Sequence, residues 1–163
     1  MRLIAITVIS LFAAIVTGTS YAQNSIEADS ACDTIAGILQ SVSGSTMERY
    51  YDQFEDHIAN KTRSGCLVKI KGTWSAITDD IHPPNVLYPN SKGPLLKQDG
   101  WQFDNRYCAD GKDGTSFAIR NDDIICLVSG KWDGGDDSDP DYVPGDEYEI
   151  LVGCALEPGN DAE

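Results

Sequence analysis

Cations are scarce in this chain. Twelve Lys and Arg stand against 26 Asp and Glu in 163 residues, a formal charge of −14. A phosphate backbone demands clustered cations, so nucleic acid is excluded as a partner. Histidine is scarcer still, with only His57 and His82. None of the five cysteines forms a Cys-x-x-Cys pair, which removes the usual zinc and thioredoxin-like arrangements. There is no Gly-x-Ser-x-Gly elbow, phosphate loop, His-Glu-x-x-His or nucleotide fingerprint. The length is too small for a barrel enzyme or a two-domain dinucleotide-binding enzyme. These absences point away from catalysis and toward a binding role.

Long apolar runs are missing too, apart from one at the start. Residues 3–16 are apolar except Thr7 and Ser10, and they follow Met1-Arg2. About 14 residues is short of the roughly 20 that span a bilayer. Ser20-Tyr21-Ala22 then offers small residues at the two positions a signal peptidase reads. Residues 1–22 therefore read as a signal peptide and 23–163 as a single globular domain. The expected product is secreted or periplasmic, has no membrane attachment after cleavage, and carries a charge of −15 once Arg2 is lost. Asn60-Lys61-Thr62 fits a glycosylation sequon, a pattern too short to decide the source.

Cys32, Cys66, Cys108, Cys126 and Cys154 all lie in the mature part. In an oxidising compartment they should give two bridges and one leftover thiol. Cys126 and Cys154 lie on expected strands flanking a loop, where a hairpin sets them opposite each other. Cys32, on an apolar helical stripe, is placed to staple helix to sheet through Cys66. That leaves Cys108 spare.

Hydrophobic periodicity predicts two helices and then strands. In residues 29–42, Ala31/Cys32, Ile35/Ala36, Ile38/Leu39 and Val42 recur at helical spacing. Ser30 and Asp33 are suited to cap the start and Gly44 to stop the end. Ser45-Thr46-Met47-Glu48 reads as a capping box, opening a second helix with Met47, Tyr50/Tyr51, Phe54 and Ile58/Ala59 on one face. From Cys66 the period becomes two. Residues 78–98 hold four prolines and read as a long connection, with one short helical turn near Leu95. Residues 101–107, 115–120, 124–132 and 148–156 read as further strands, separated by Asp-Gly pairs and by Asn121-Asp122-Asp123. The expected architecture is α+β: two N-terminal helices on one face of an antiparallel sheet of about five strands, stapled by disulfides.

Tyr107-Cys108-Ala109-Asp110-Gly111, followed by Phe117, resembles the Tyr-x-Cys-Asp-Gly strand pattern of periplasmic inhibitors of C-type lysozyme. The likeness covers about a dozen residues and shifts the Tyr–Cys spacing. It implies an inhibitor of a basic enzyme, in a family whose fold is a β-barrel.

The most unusual segment is 133–149, with eight acidic residues in seventeen and no basic one. Asp137, Asp139 and Asp141 alternate as in the opening of a calcium loop. Tyr142 stands where an EF-hand wants Gly and Tyr148 where it wants Glu, which rejects the EF-hand itself. A different calcium site would use Asp133, Asp137, Asp139 and Asp141. As a recognition surface the same loop would present Trp132, Asp136 and Tyr142 to a partner such as a basic protein. The leading expectation is thus an exported acidic binding protein without a catalytic site or cofactor. The alternatives are an inhibitor of a basic extracytoplasmic enzyme such as lysozyme, and a calcium-binding structural domain.

Overall fold

The computed structural model describes residues 18–42, 44–76, 83–88, 100–134 and 145–157. Among these residues there are one α-helix, two short 3-10 turns (Trp74–Ala76 and Pro83–Leu87) and one six-stranded sheet, so the fold is mostly β. The expectation of two helices on about five strands is corrected. Helix α1 (Gly18–Leu39) is followed by β1 (Thr46–Asp56), β2 (Lys61–Thr73), β3 (Gln102–Gly111), β4 (Gly114–Asn121), β5 (Ile124–Trp132) and β6 (Glu147–Leu156). All neighbours pair antiparallel, in the order β1-β2-β6-β5-β4-β3. A hairpin (β1–β2) thus joins a four-strand meander (β3–β6) along β6.

The expected second helix is β1. Its capping box does not form, because the Ser45 hydroxyl donates to the Val42 carbonyl at 2.9 Å and takes no helical N–H. The aromatics serve a strand equally well. Tyr50 and Phe54 fall on one face while Met47, Arg49 and Tyr51 fall on the other, the alternation a pleated strand needs. Tertiary pairing decides between the two periods. Eleven consecutive registered partners along β2 satisfy the backbone of β1. Asn60, at φ 50°, makes the turn between them, a left-handed position that Asn tolerates.

Residues 28, 31, 32, 35, 36, 38 and 39 of α1 are buried. They cover the face of the sheet that carries Cys66, Val68, Ile70, Cys126, Val128, Ile150, Val152 and Cys154. Each fully buried aliphatic side chain there contributes roughly 1.5–3 kcal/mol of transfer free energy. Ser30 and Asp33 are internal to the helix, because α1 starts further upstream than the caps imply. Asp33 instead pairs with Arg49 of β1 at 3.1 Å, with Asp29 nearby at 3.6 Å, tying the helix to an edge strand. Two disulfides complete this side. Cys32–Cys66 links α1 to β2, Cys126–Cys154 links β5 to β6, and Cys108 remains free and exposed.

Candidate functional site

The other face of the sheet carries no helix among the described residues, and its composition changes across the strands. Antiparallel register sets Ala109, Ser116, Ser129 and Leu151 in one row, on β3, β4, β5 and β6. The next row holds Asp104, Ala118, Leu127, Gly153, Leu67 and Tyr50. Small side chains thus form a floor, and larger ones rise at its sides. Phe54 of β1 lies across Gly153, where an added Cβ would come within 2.9 Å of the ring. Glycine there is what lets the aromatic ring cross the middle of the sheet.

The opposite wall comes from an irregularity in β3. Five steps along β3, from Asp104 to Ala109, oppose two along β4, from Ala118 to Ser116. The surplus backbone bulges, carrying Arg106, Tyr107 and Cys108 to the mouth of the hollow. From the other side the β1–β2 turn brings His57 and Ile58, the latter 58% exposed. The two edge strands meet here, with the Tyr107 hydroxyl donating to Asp56 Oδ2 at 3.0 Å. The result is a cavity of about 400 Å³ with Phe54, Ile58, Tyr107, Leu127 and Leu151 among its walls. That volume and that apolar lining are those of small-molecule sites.

A ladder of alternating charges secures the geometry. Asp56 is fully buried, and its Oδ2 accepts from Arg63 Nε at 2.6 Å. Arg63 reaches Glu157 at 2.9 Å, Glu157 pairs with Arg120, and Arg120 Nε donates to Asp104 at 2.6 Å. Arg106 then forks onto both oxygens of Asp104, at 2.9 and 2.6 Å. The chain of pairs runs from β1 to β3, the two edges of the sheet, and helps hold the face curved. Burial pushes the Asp56 carboxyl up, but the Ala59 amide, the Arg63 side chain and the Tyr107 hydroxyl outweigh it and hold the group below its ordinary value. Arg106 and then Arg120 hold Asp104 far below the carboxylate range, against burial. Burial, and then the bond to Asp56, raises Tyr107, which keeps its phenol protonated as a donor.

The residues that the acidic segment suggested are placed differently. Asp136, Asp137, Asp139, Asp141 and Tyr142 lie outside the described residues. Asp133 accepts from the Gly145 amide at 3.1 Å, closing the base of that segment. Trp132 is half-buried, with its ring edge-on to Trp74 at 5.8 Å and its indole N–H donating to the Lys112 carbonyl at 2.6 Å. Both side chains thus have architectural partners. No group of three or more His, Cys, Asp or Glu side chains is arranged to hold a metal among the described residues.

A larger depression of about 830 Å³ lies at the base of the acidic segment, lined by Lys71, Lys131, Trp132, Glu147 and Glu149. It is more open than the cavity on the other face, and its charged rim is already paired, Glu149 engaging Lys69 at 3.1 Å and Lys71 at 3.2 Å. The cavity on the concave face is therefore the better candidate. The sequence conceals it because Phe54 and Ile58 also fit the helical period expected there, whereas Phe54 and Asp56 belong to β1. The available signal was Asn60, a turn residue between two stretches that can both alternate. Comparison with protein families, with characterised proteins and with solved structures finds no match, so the functional reading rests on the geometry of this site.

Proposed function

We propose that the chain is an exported binding protein, without chemistry of its own, that holds a small, mainly apolar ligand on the concave face of its sheet. The observation that carries this reading is the cavity of about 400 Å³ between Phe54, Ile58, Tyr107, Leu127 and Leu151. Apolar surface of this kind, left open beside a buried ion-pair ladder, gains from being covered. The ladder and the Asp56–Tyr107 bond keep the walls in place before a ligand arrives, which lowers the ordering cost of binding.

The neutral fluorophore N-phenyl-1-naphthylamine tests the proposal. It should bind saturably, with a rise in emission, and should slow the alkylation of Cys108 by N-ethylmaleimide, because that free thiol lines the cavity. Ser129→Phe fills the floor and should abolish both effects. Ala109→Phe, at an exposed position on the edge strand, serves the same purpose with less demand on packing. Probe binding that survives both substitutions in folded protein places the ligand elsewhere and sinks the reading.

Export is supported by the short apolar start and by two bridges that need an oxidising compartment. Cleavage after Ala22 should give an intact mass that begins at Gln23. A protein from an extracytoplasmic fraction still beginning at Met1 would refute that cleavage.

A further inference from the structure

Resting on the cavity reading above, we infer that the ligand is electrically neutral and carries a hydroxyl or carbonyl group that meets the Ser129 hydroxyl on the cavity floor. Of the titratable side chains lining the cavity, Glu55 and Arg106 are already engaged, and His57 lies on the β1–β2 turn rather than on the floor. Arg106 is forked onto Asp104, and Glu55 accepts from the Thr62 hydroxyl at 2.8 Å. Asp56 is fully buried and accepts from Arg63, from Tyr107 and from the Ala59 amide. A charged ligand would leave water for a floor of Ala109, Ser116, Ser129 and Leu151 that offers no counter-charge, and desolvating an ion without a partner is costly.

The polar capacity of the floor is neutral. Ser116 and Ser129 face each other across β4 and β5 in the floor row. Ser116 Oγ is turned to the Tyr107 carbonyl at 3.4 Å, whereas the Ser129 hydroxyl has no hydrogen-bond partner among the described residues. A hydroxyl both donates and accepts, so Ser129 suits an alcohol, a ketone or an ester equally. Around it Leu127, Leu151 and Phe54 offer only hydrocarbon. One polar atom in an apolar wall fixes orientation, which is how such sites select.

The test uses naphthalene bodies that differ in one substituent, each displacing N-phenyl-1-naphthylamine from the native protein in 0.5 M salt. Salt at that level screens the overall negative charge, leaving the preference of the site itself. 1-Naphthalenemethanol should compete at least tenfold better than 1-naphthylmethylammonium or 1-naphthoate. It should also compete better than 1-methylnaphthalene, and Ser129→Ala should reduce that alcohol-over-methyl preference about threefold to tenfold. A charged probe that equals the alcohol, or a preference unaltered by Ser129→Ala, overturns this inference while leaving the cavity reading intact. Failure of N-phenyl-1-naphthylamine itself to bind overturns both.

Discussion

Replacing Arg63 with methionine is expected to lower the unfolding free energy by about 3–5 kcal/mol, the range for stripping one partner from a buried ion pair. Arg63 and Asp56 side chains are 3% and 0% exposed, so water cannot take over from the lost guanidinium. The methionine keeps most of the apolar stem, so the loss reports the charge rather than the packing. Asp56 then has only the Ala59 amide and the Tyr107 hydroxyl, and Glu157 keeps only the longer pair to Lys61, at 3.9 Å, as its link to β2. The double variant Asp56→Asn, Arg63→Met should recover part of the loss, because no charge is left stranded. Urea unfolding followed by circular dichroism measures both; a single-variant loss below about 1 kcal/mol would mean that the pair is hydrated in solution.

The same group sets an acid limit. The Asp56 carboxyl is held below its ordinary value in the folded chain. Its contribution is therefore fully present above the unfolded value of about 3.9 and is lost as pH falls through the lower, folded one. Asp104 adds a contribution of the same sign. Stability should fall with pH below about 4, less steeply in Asp56→Asn, which starts lower at neutral pH and has one fewer proton to take up on unfolding.

The second large effect belongs to the disulfides. Cys32–Cys66 and Cys126–Cys154 close loops of 34 and 28 residues. On the chain-entropy account, each restricts the unfolded chain by about 3–4 kcal/mol. The two should differ in consequence. Cys126 and Cys154 lie on adjacent central strands that their backbone ladder already joins, so Cys126→Ala, Cys154→Ala should lower stability while leaving the helix in place. Cys32→Ala, Cys66→Ala removes the covalent link between α1 and the sheet. Amide exchange in α1 should then accelerate more than in β5 and β6. Equal acceleration in all three elements would show that α1 and the sheet open only together.

Much of this structure is legible in the residues. The helical stripe from Ala31 to Leu39 specifies a buried face, since Ala, Cys, Ile and Leu at 3.6-residue spacing fall on one side of a helix and on both sides of a strand. Alternation from Cys66 and turn residues such as Asp122, at φ 49°, specify strands and hairpins, because the period of two and the left-handed turn are local properties. The two bridges are also the pairs suggested by cysteines on facing apolar stripes.

What only the tertiary structure decided is the conformation of residues 46–56 and, with it, the site. Met47, Tyr50, Phe54 and Ile58 satisfy a helical period, while Met47/Tyr51 and Tyr50/Phe54 satisfy a strand period, so local pattern is ambiguous. A partner strand eleven residues long resolves it by pairing the backbone. The cavity is one step further from the sequence. It needs Gly153 beneath Phe54, a bulge that turns Tyr107 across the sheet, and Asp56 to receive it, from three strands that are not consecutive in the chain. Periodicity describes which face a residue takes within its own element. It carries no information about which distant residue stands opposite, and that juxtaposition is what makes the hollow.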